Sequence, residues 1–392
     1  MKLKKVSNLN FVFDFRFCID KDGNAYGPGQ FSYNNLWKTK YLTMCNNLNV
    51  IARLDESVKK EICISGKSVN FIATYNMASI NIIKNAKKNY KILYPVLENG
   101  ELTIVRLPSL QGLLACRILQ KLKKKYVIEV VGSAFESYWY HDKFKGKLMA
   151  PIIELATKRT IKKAKNVTYV TNEYLQKKYP NKYNAISFSD VKIDLDETAI
   201  DANKKKFLQA RKYKLGLVGP LNVMYKGHKT AIKILSLLCK DYDCELHFLG
   251  SGDFCMWKNY AKKYGVSEYL FQDDIRSSGE EMNEWYDSIN ILLIPSLTEG
   301  MPRVCIEAMA RGIPIVSSNV GELEFLLNHK NTFSKKDYKG MAKRIKNLFT
   351  DKTEAIKDID INYKKCYLFS NFALNEKRND YYQKIIGDDA NE

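Results

Sequence analysis

Residues 291–321 constrain the fold of this chain more than any other stretch. They read ILLIPSLTEGMPRVCIEAMARGIPIVSSNVG. An apolar run from Ile291 to Ile294 stops at Pro295, and a polar loop with Glu299 and Gly300 at its tip follows. Pro302 opens a helical pattern that closes at Gly312, and a second apolar run starts at Ile313. Proline at the start of a helix and glycine just past its end is the asymmetry that helix termini favour. Strand, loop, helix and strand make one βαβ unit, the building block of a parallel sheet. The loop leaves the carboxyl end of a strand, where open α/β sheets bind ligands.

Two carboxylates, Glu299 and Glu307, lie in this unit with seven residues between them. At about 1.5 Å of rise per residue they stand roughly 10 Å apart or a little more. That is too far for a shared proton or a single metal ion. The backbone amides of Gly300, Met301 and Arg303 fall between them at a helix N-terminus, which attracts phosphate. The pattern suits a ligand with hydroxyls at both ends and charge in the middle, such as a sugar, a diphosphate and a ribose. Taken alone, the pair also reads as one helix-capping and one solvated glutamate.

The spacing Glu299-x7-Glu307, with EGMPR and EAMARGIPIV around it, resembles the E-x7-E motif of retaining glycosyltransferase family 4. Its capsule and surface-polysaccharide members are the nearest in pattern. The resemblance implies that Glu299 contacts the transferred sugar and Glu307 the nucleotide ribose. It also implies the GT-B fold: α/β, two Rossmann-like domains facing a cleft, with a C-terminal helix crossing back to the N-terminal domain.

The rest of the chain agrees with a two-domain α/β protein. A length of 392 residues is enough for two cores. In the first half FVFDFRF, NVIAR, NFIATY, YKILY, YVIEVVG and VTYVT read as strands. Helical patterns lie between them, including SINIIKNAKK, GLLACRILQKLKKK and residues 148–164, and Asn172 is placed to cap NEYLQKKYP. The polar residues 181–212 read as the interdomain connection. The second half alternates KLGLVG, TAIKILSLLC, CELHFLG, DFCMWKNYAKKYG, YLFQDD and EEMNEWYDS before the βαβ unit, and the tail reads as helical. The domains are therefore expected at 1–200, 201–370 and 371–392, the first binding acceptor and the second nucleotide sugar.

Further groups map onto the family pattern. Gly219 to Gly227 follows the first strand of the second domain, a position from which a loop and a lysine can hold a diphosphate. This resembles the family's G-R-x…K-G loop: Lys226 and Gly227 match, whereas the arginine position is Pro220. Lys226, alone or with Arg303, is expected to neutralise the leaving phosphates. Gly250 and Gly252 resemble the family's G-x-G loop, and Phe271 to Ile275 would lie near the nucleobase. Gly27 and Gly29 stand where the family has a glycine loop approaching donor and acceptor, and Arg53 matches an arginine common in similar polysaccharide enzymes. The family's histidine near the reacting sugar falls on Val131-Gly132-Ser133. The nearest histidine is His141, which takes that role if any does.

Charge and cysteine usage bound the setting. The first 200 residues hold 33 Lys and Arg against 17 Asp and Glu, and the remaining 192 hold 30 against 26. A basic half implies an anionic partner such as a membrane surface, or simply a soluble face. Nine scattered cysteines without a C-x-x-C pair fit reduced thiols in the cytosol. Cys239, Cys244 and His247 lack a fourth ligand, and the acidic triplets at 194–196, 241–243 and 358–360 fall in the linker or at helix ends, so no metal and no cofactor is expected. The N-terminus alternates without a long apolar core and reads as a first strand, not a signal peptide.

The expectation is a retaining glycosyltransferase, cytoplasmic and peripheral at the inner face of the cell membrane. It would move a sugar from a UDP- or GDP-sugar to a lipid-linked or polysaccharide acceptor in bacterial surface polysaccharide synthesis. Glu299, Lys226 and His141 are the catalytic candidates. Gly219, Lys226, Gly227, Gly250, Gly252, Phe271, Glu299, Gly300, Met301, Arg303 and Glu307 bind the donor, and Gly27, Gly29 and Arg53 the acceptor. The alternatives are a GT-B nucleotide-sugar epimerase and a basic nucleic-acid-binding protein. The first would need acid–base groups flanking the sugar, and the second a nucleic-acid motif. Neither is evident, and no nucleic-acid partner is expected.

Overall fold

The structure is a computed structural model that describes residues 4–77, 81–141, 144–191 and 193–387. It divides into two units, Met1–Phe188 with Glu376–Glu392, and Ser189–Asn375. Each is built on its own sheet.

In the first unit the strands are β1 (Val6–Ile19), β2 (Ala25–Tyr26), β3 (Cys45–Leu54), β4 (Val69–Thr74), β5 (Leu102–Leu107), β6 (Tyr126–Val130), β7 (Asn166–Tyr169) and β8 (Asn184–Ser187). Their order is β4-β3-β1-β5-β6-β7-β8, all parallel, while β2 pairs antiparallel with the outer end of β1. The expected strand YKILY is instead the second half of the helix Ile82–Asn99. Its buried positions, Asn89, Leu93 and Leu97, recur every four residues, a helical period that the short apolar cluster hid. The strand is the next segment, β5, buried at every position. Continuous burial is what a central strand covered on both faces requires. The N-cap position of the short helix Tyr174–Lys178 is Glu173, one residue after Asn172.

A buried cluster ties the C-terminal helix, Asn371–Gly387, to this unit. Glu129 on β6 accepts hydrogen bonds from Arg106 Nε at 2.8 Å, Tyr41 OH at 3.0 Å and Tyr382 OH at 3.1 Å, and Lys40 Nζ lies 3.0 Å away. Tyr381 OH donates to Asn184 O at 3.1 Å. The returning helix thus covers β6 to β8.

In the second unit the strands are β9 (Lys212–Val218), β10 (Asp243–Leu249), β11 (Leu270–Asp273), β12 (Ile291–Ile294), β13 (Ile315–Ser318) and β14 (Thr332–Phe333). The order β11-β10-β9-β12-β13-β14 is parallel throughout. The chain grows from β9 toward one edge, then returns to its other side at β12. The topological switch point therefore lies between β9 and β12, where a ligand crevice forms outside the carboxyl ends. Tyr213, Leu215 and Leu217 of β9 enter the core on one face. Gly216 points to the other, where a Cβ would meet Trp285 at 2.6 Å.

The boundary falls at 188/189, not at 200, and the polar stretch is not a free linker. Asp196 caps the helix Glu197–Gln209 by accepting from Thr198 N and Ala199 N. Arg311 NH1 binds Asp196 at 3.1 Å, and Asn203 Nδ2 donates to Arg311 O at 2.8 Å. These contacts join residues 196–209 to the second unit, a use of polar residues that composition alone does not distinguish from solvation.

Candidate donor site

Two loops meet at the switch point of the second sheet. The loop after β9 runs from Gly219 to Gly227, and the loop after β12 carries Ser296, Thr298 and Glu299. Leu297 N donates to Tyr225 O at 2.8 Å, which fastens one loop to the other. Gly227 has φ +84°, and a Cβ there would stand 2.1 Å from Pro295 O. Only glycine fits so close an approach in the left-handed region. Gly321 works likewise on the other side, with φ +58° and a would-be Cβ 2.1 Å from Glu299 O.

That packing brings together the two strongest candidates. Lys226 Nζ lies 2.8 Å from Glu299 Oε1, which also accepts from Ser296 Oγ at 2.7 Å. The side chains keep 20% and 11% of their exposure, so the pair is shielded yet reachable. Burial and the Glu299 charge push the Tyr225 phenol up to about 12, so it stays a neutral wall of the site.

Glu307 occupies the second turn of the helix Arg303–Ala310, with Pro302 as its N-cap. It accepts from Tyr286 OH at 2.9 Å, and Arg303 Nε lies 3.6 Å from its other oxygen. Burial raises the Glu307 pKa, while the Tyr286 hydroxyl and Arg303 oppose the rise. Arg303 therefore leans on Glu307, not on Lys226. Glu322 N donates to Gly300 O at 3.1 Å, which fixes the turn between the carboxylates.

The remaining donor candidates line the same edge. Gly219 N donates to Leu249 O at 2.9 Å, and a Cβ on Gly250 would stand 2.1 Å from Gly219 O, so the loops after β9 and β10 lie back to back. A Cβ on Gly252 would reach Leu221 at 2.9 Å. On β11, Phe271 is partly exposed and stacks on His247, with ring centroids 5.0 Å apart. In the first unit, Gly27 and Gly29 make room for Ile64 and Ile62, whose side chains a Cβ would meet at 2.9 and 3.0 Å. Arg53 donates to Asn76 Oδ1 at 2.8 Å and lies 3.4 Å from Asp14. His141 closes the helix Ala134–His141, but its side chain lies outside the described residues.

Sequence reasoning missed Tyr286 and Trp285, and reached Asp273 only as part of the stretch 271–275. Adjacent residues on the helix Glu280–Ser288 reach both ends of the site: Tyr286 binds Glu307, and Trp285 Nε1 donates to Asp273 Oδ2 at 2.6 Å. Burial alone would raise the Asp273 pKa. Hydrogen bonds from His247 and Trp285 overcome it and hold the carboxyl at about 2. The EWY triplet gave no signal, because its partners lie in other βα units. Another missed feature is His228, fully buried against Trp257 and held by that burial at a pKa of about 4. Among the described residues no group of three or more His, Cys, Asp or Glu is set to hold a metal ion, and His247 is engaged by Asp273 at 2.8 Å.

Comparison with known proteins agrees with the two-unit α/β fold. Residues 212–351 match the family model described as Glycosyl transferases group 1. Protein CapJ of Staphylococcus aureus is 33% identical over 389 residues, covering 97% of each chain. The capsular polysaccharide biosynthesis glycosyltransferase CapM of the same organism is 27% identical over 180 residues, 43% of this chain and 44% of the relative. Among solved structures, Anabaena Alr3699/HepE in complex with UDP superposes with a TM-score of 0.67 at 13% identity, covering 97% of this chain and 100% of that one. Sucrose-phosphate synthase from Thermosynechococcus elongatus gives 0.66 at 14% identity, with the same coverage. A GT-B fold of two Rossmann-like units, the family match over residues 212–351 and a relative 33% identical over 97% of each chain together identify the chain as a member of the group 1 glycosyltransferases.

Proposed function

We propose that this enzyme transfers a sugar, with retention of configuration, from a UDP- or GDP-sugar to a lipid-linked or glycan acceptor in capsule or related surface-polysaccharide synthesis. The observation that carries the reading is the Lys226–Glu299 pair at the switch point, with Glu307 in the second turn of the helix that follows. Lys226 meets the diphosphate and Glu299 the sugar hydroxyls. Glu307 accepts from the ribose, and the amides from Gly300 onward face the phosphates. Both carboxylates are assigned to hydroxyls in this reading, not to attack on the anomeric carbon. Retention is then assigned to front-face attack: the acceptor oxygen bonds the anomeric carbon as that carbon's bond to the phosphate breaks, and the leaving phosphate takes the acceptor proton. Lys226 and the helix terminus stabilise charge as it grows on that phosphate, the kind of preorganised electrostatics that dominates transfer reactions.

Support for the substrates comes from relatives. HepE was solved with UDP and with UDP-glucose, and CapM bears a capsular polysaccharide name. Gly27, Gly29, Arg53 and His141 belong to the acceptor side of the reading. Lys226 and the helix terminus supply positive charge without a metal. No helix among the described residues is long and apolar enough to cross a membrane. The reading has the enzyme meet a lipid-linked acceptor as a peripheral protein at the cytoplasmic face. Thermal shift against UDP, GDP, ADP and CDP tests the donor reading, because a ligand that binds only the native state raises Tm. A rise with UDP or GDP is expected. No rise with any of the four would sink the reading, and neither epimerase nor nucleic-acid binding has support in the comparisons.

A further inference from the structure

The helix Phe144–Lys163 is apolar on two opposite faces. One is the ordinary inner face, where Ala150, Ile153, Thr157 and Ile161 are buried in the first unit. The other carries Leu148, Ile152 and Leu155, which are 63%, 60% and 48% exposed. Their spacing of four and three residues puts all three side chains on one stripe. Such a stripe on water is costly to leave bare and usually marks an interaction surface.

Its surroundings say what covers it. Arg159 continues the stripe, and exposed Lys158, Lys162 and Lys163 flank its far end. The carboxylate of Glu154 accepts from Tyr179 OH at 2.6 Å and Phe135 N at 2.9 Å, and Lys158 Nζ lies 3.4 Å from its Oε1, which leaves Arg159, Lys162 and Lys163 as the basic end of the stripe. Trp139 is 40% exposed, stacks on Phe135 and has Lys147 Nζ 5.7 Å from its ring centre. A second copy of this chain would set like charges against each other across a two-fold interface. A surface with anionic headgroups above hydrocarbon answers both halves of the pattern. Helices with an apolar stripe, basic flanks and an interfacial tryptophan lie in that boundary.

We propose that the outward face of the helix Phe144–Lys163 docks on an anionic lipid bilayer, with Leu148, Ile152 and Leu155 entering the acyl boundary and Arg159, Lys162 and Lys163 meeting the headgroups. The proposal deepens the membrane part of the functional reading and rests on that part alone. It adds a consequence that net charge does not have: salt weakens binding without abolishing it, because the apolar contact is not screened.

The test is co-sedimentation of the full chain with vesicles of phosphatidylcholine containing 30% phosphatidylglycerol, and with phosphatidylcholine alone. The wild type is expected to bind the anionic vesicles, and to keep part of that binding in 0.5 M NaCl. The triple variant Leu148→Ser, Ile152→Ser, Leu155→Ser should bind at least tenfold more weakly with an unchanged Tm. A variant with Arg159, Lys162 and Lys163 all changed to Ser should lose its preference for the anionic vesicles. Trp139 is the exposed tryptophan, since Trp37, Trp257 and Trp285 are buried, so the emission shift on binding reports its environment. Equal binding by the apolar triple variant and the wild type would assign any membrane contact to another surface. A wild type that ignores both vesicles, or forms a dimer that the triple variant breaks, would overturn the proposal outright. The UDP and GDP thermal shifts of the same samples report the donor site separately, so one reading can fail without the other.

Discussion

Lys226 Nζ and Glu299 Oε1 are hydrogen-bonded at 2.8 Å. The two residues expected to serve the phosphate and the sugar therefore hold each other. In the proposed reading a diphosphate would compete with Glu299 for the lysine, and a sugar would compete with the lysine for the carboxylate. The pair keeps both charges paired in a shielded place, where an uncompensated charge would be costly.

Single removals at this pair should split. Glu299→Ala frees Lys226, so nucleoside diphosphate should bind at least as tightly while transfer is lost. Lys226→Ala should lower kcat more than it raises the donor KM, because phosphate charge grows toward the transition state. Calorimetry with UDP or GDP and steady-state rates separate the two. Equal turnover in wild type and Lys226→Ala would hand the phosphate role to another cation, with Arg303→Ala the next variant to measure.

Tyr286→Phe removes a single hydroxyl, the one that donates to Glu307. Fold stability should fall by about 1.5–3 kcal/mol, the usual worth of a hydrogen bond to a charged group, and nucleoside diphosphate affinity should fall as Glu307 loses the partner that positions it. The pH dependence is more telling. Burial raises the Glu307 pKa, so its carboxylate protonates earlier as pH falls, and binding that needs the anion weakens toward the acid side. Tyr286 opposes that rise, as does Arg303. Removing the hydroxyl should therefore move the acid limb of donor binding to higher pH. A profile that does not move would make Tyr286 only a packing residue.

The sequence carried this site unevenly, for physical reasons. Glu299, Gly300 and Glu307 lie within one βαβ unit, so local spacing reports their separation. Lys226 sits 73 residues earlier but in the matching loop of another βα unit, and motif resemblance found it. Tyr286, Trp285 and Asp273 act only through tertiary hydrogen bonds, which leave no periodic trace. The same limit applies to the fold. β9 to β13 were legible as apolar runs between helices, whereas YKILY read as a strand because five residues cannot distinguish a period of 3.6 from one of 2. Residues 181–212 read as a linker because capping and bridging aspartates look like solvated ones.

Chelation should leave the enzyme active. Lys226 and the N-terminus of the helix Arg303–Ala310 can counter the diphosphate charge by themselves. Rates in EDTA are expected to match rates in buffer, with no gain from added Mg²⁺ or Mn²⁺. Full loss in EDTA and recovery with either ion would contradict the mechanism proposed for this site.

The last prediction concerns stability far from the donor loops. Glu129 is 2% exposed and faces two buried cations, Lys40 and Arg106, with Tyr41 and Tyr382 completing its partners. Replacing the whole cluster by apolar groups could be neutral, but removing only the carboxylate leaves two cations facing each other without water. Glu129→Ala should therefore cost about 3–5 kcal/mol, the range for breaking a buried pair from one side. Tyr382→Phe should cost less, about 1.5–3 kcal/mol for one hydrogen bond to a carboxylate, while loosening the C-terminal helix that it pins to β6. Urea unfolding measures the first. Faster amide exchange confined to residues 376–387 measures the second. If Glu129→Ala proved as mild as Tyr382→Phe, the cluster would be open to water in solution and would not organise this unit.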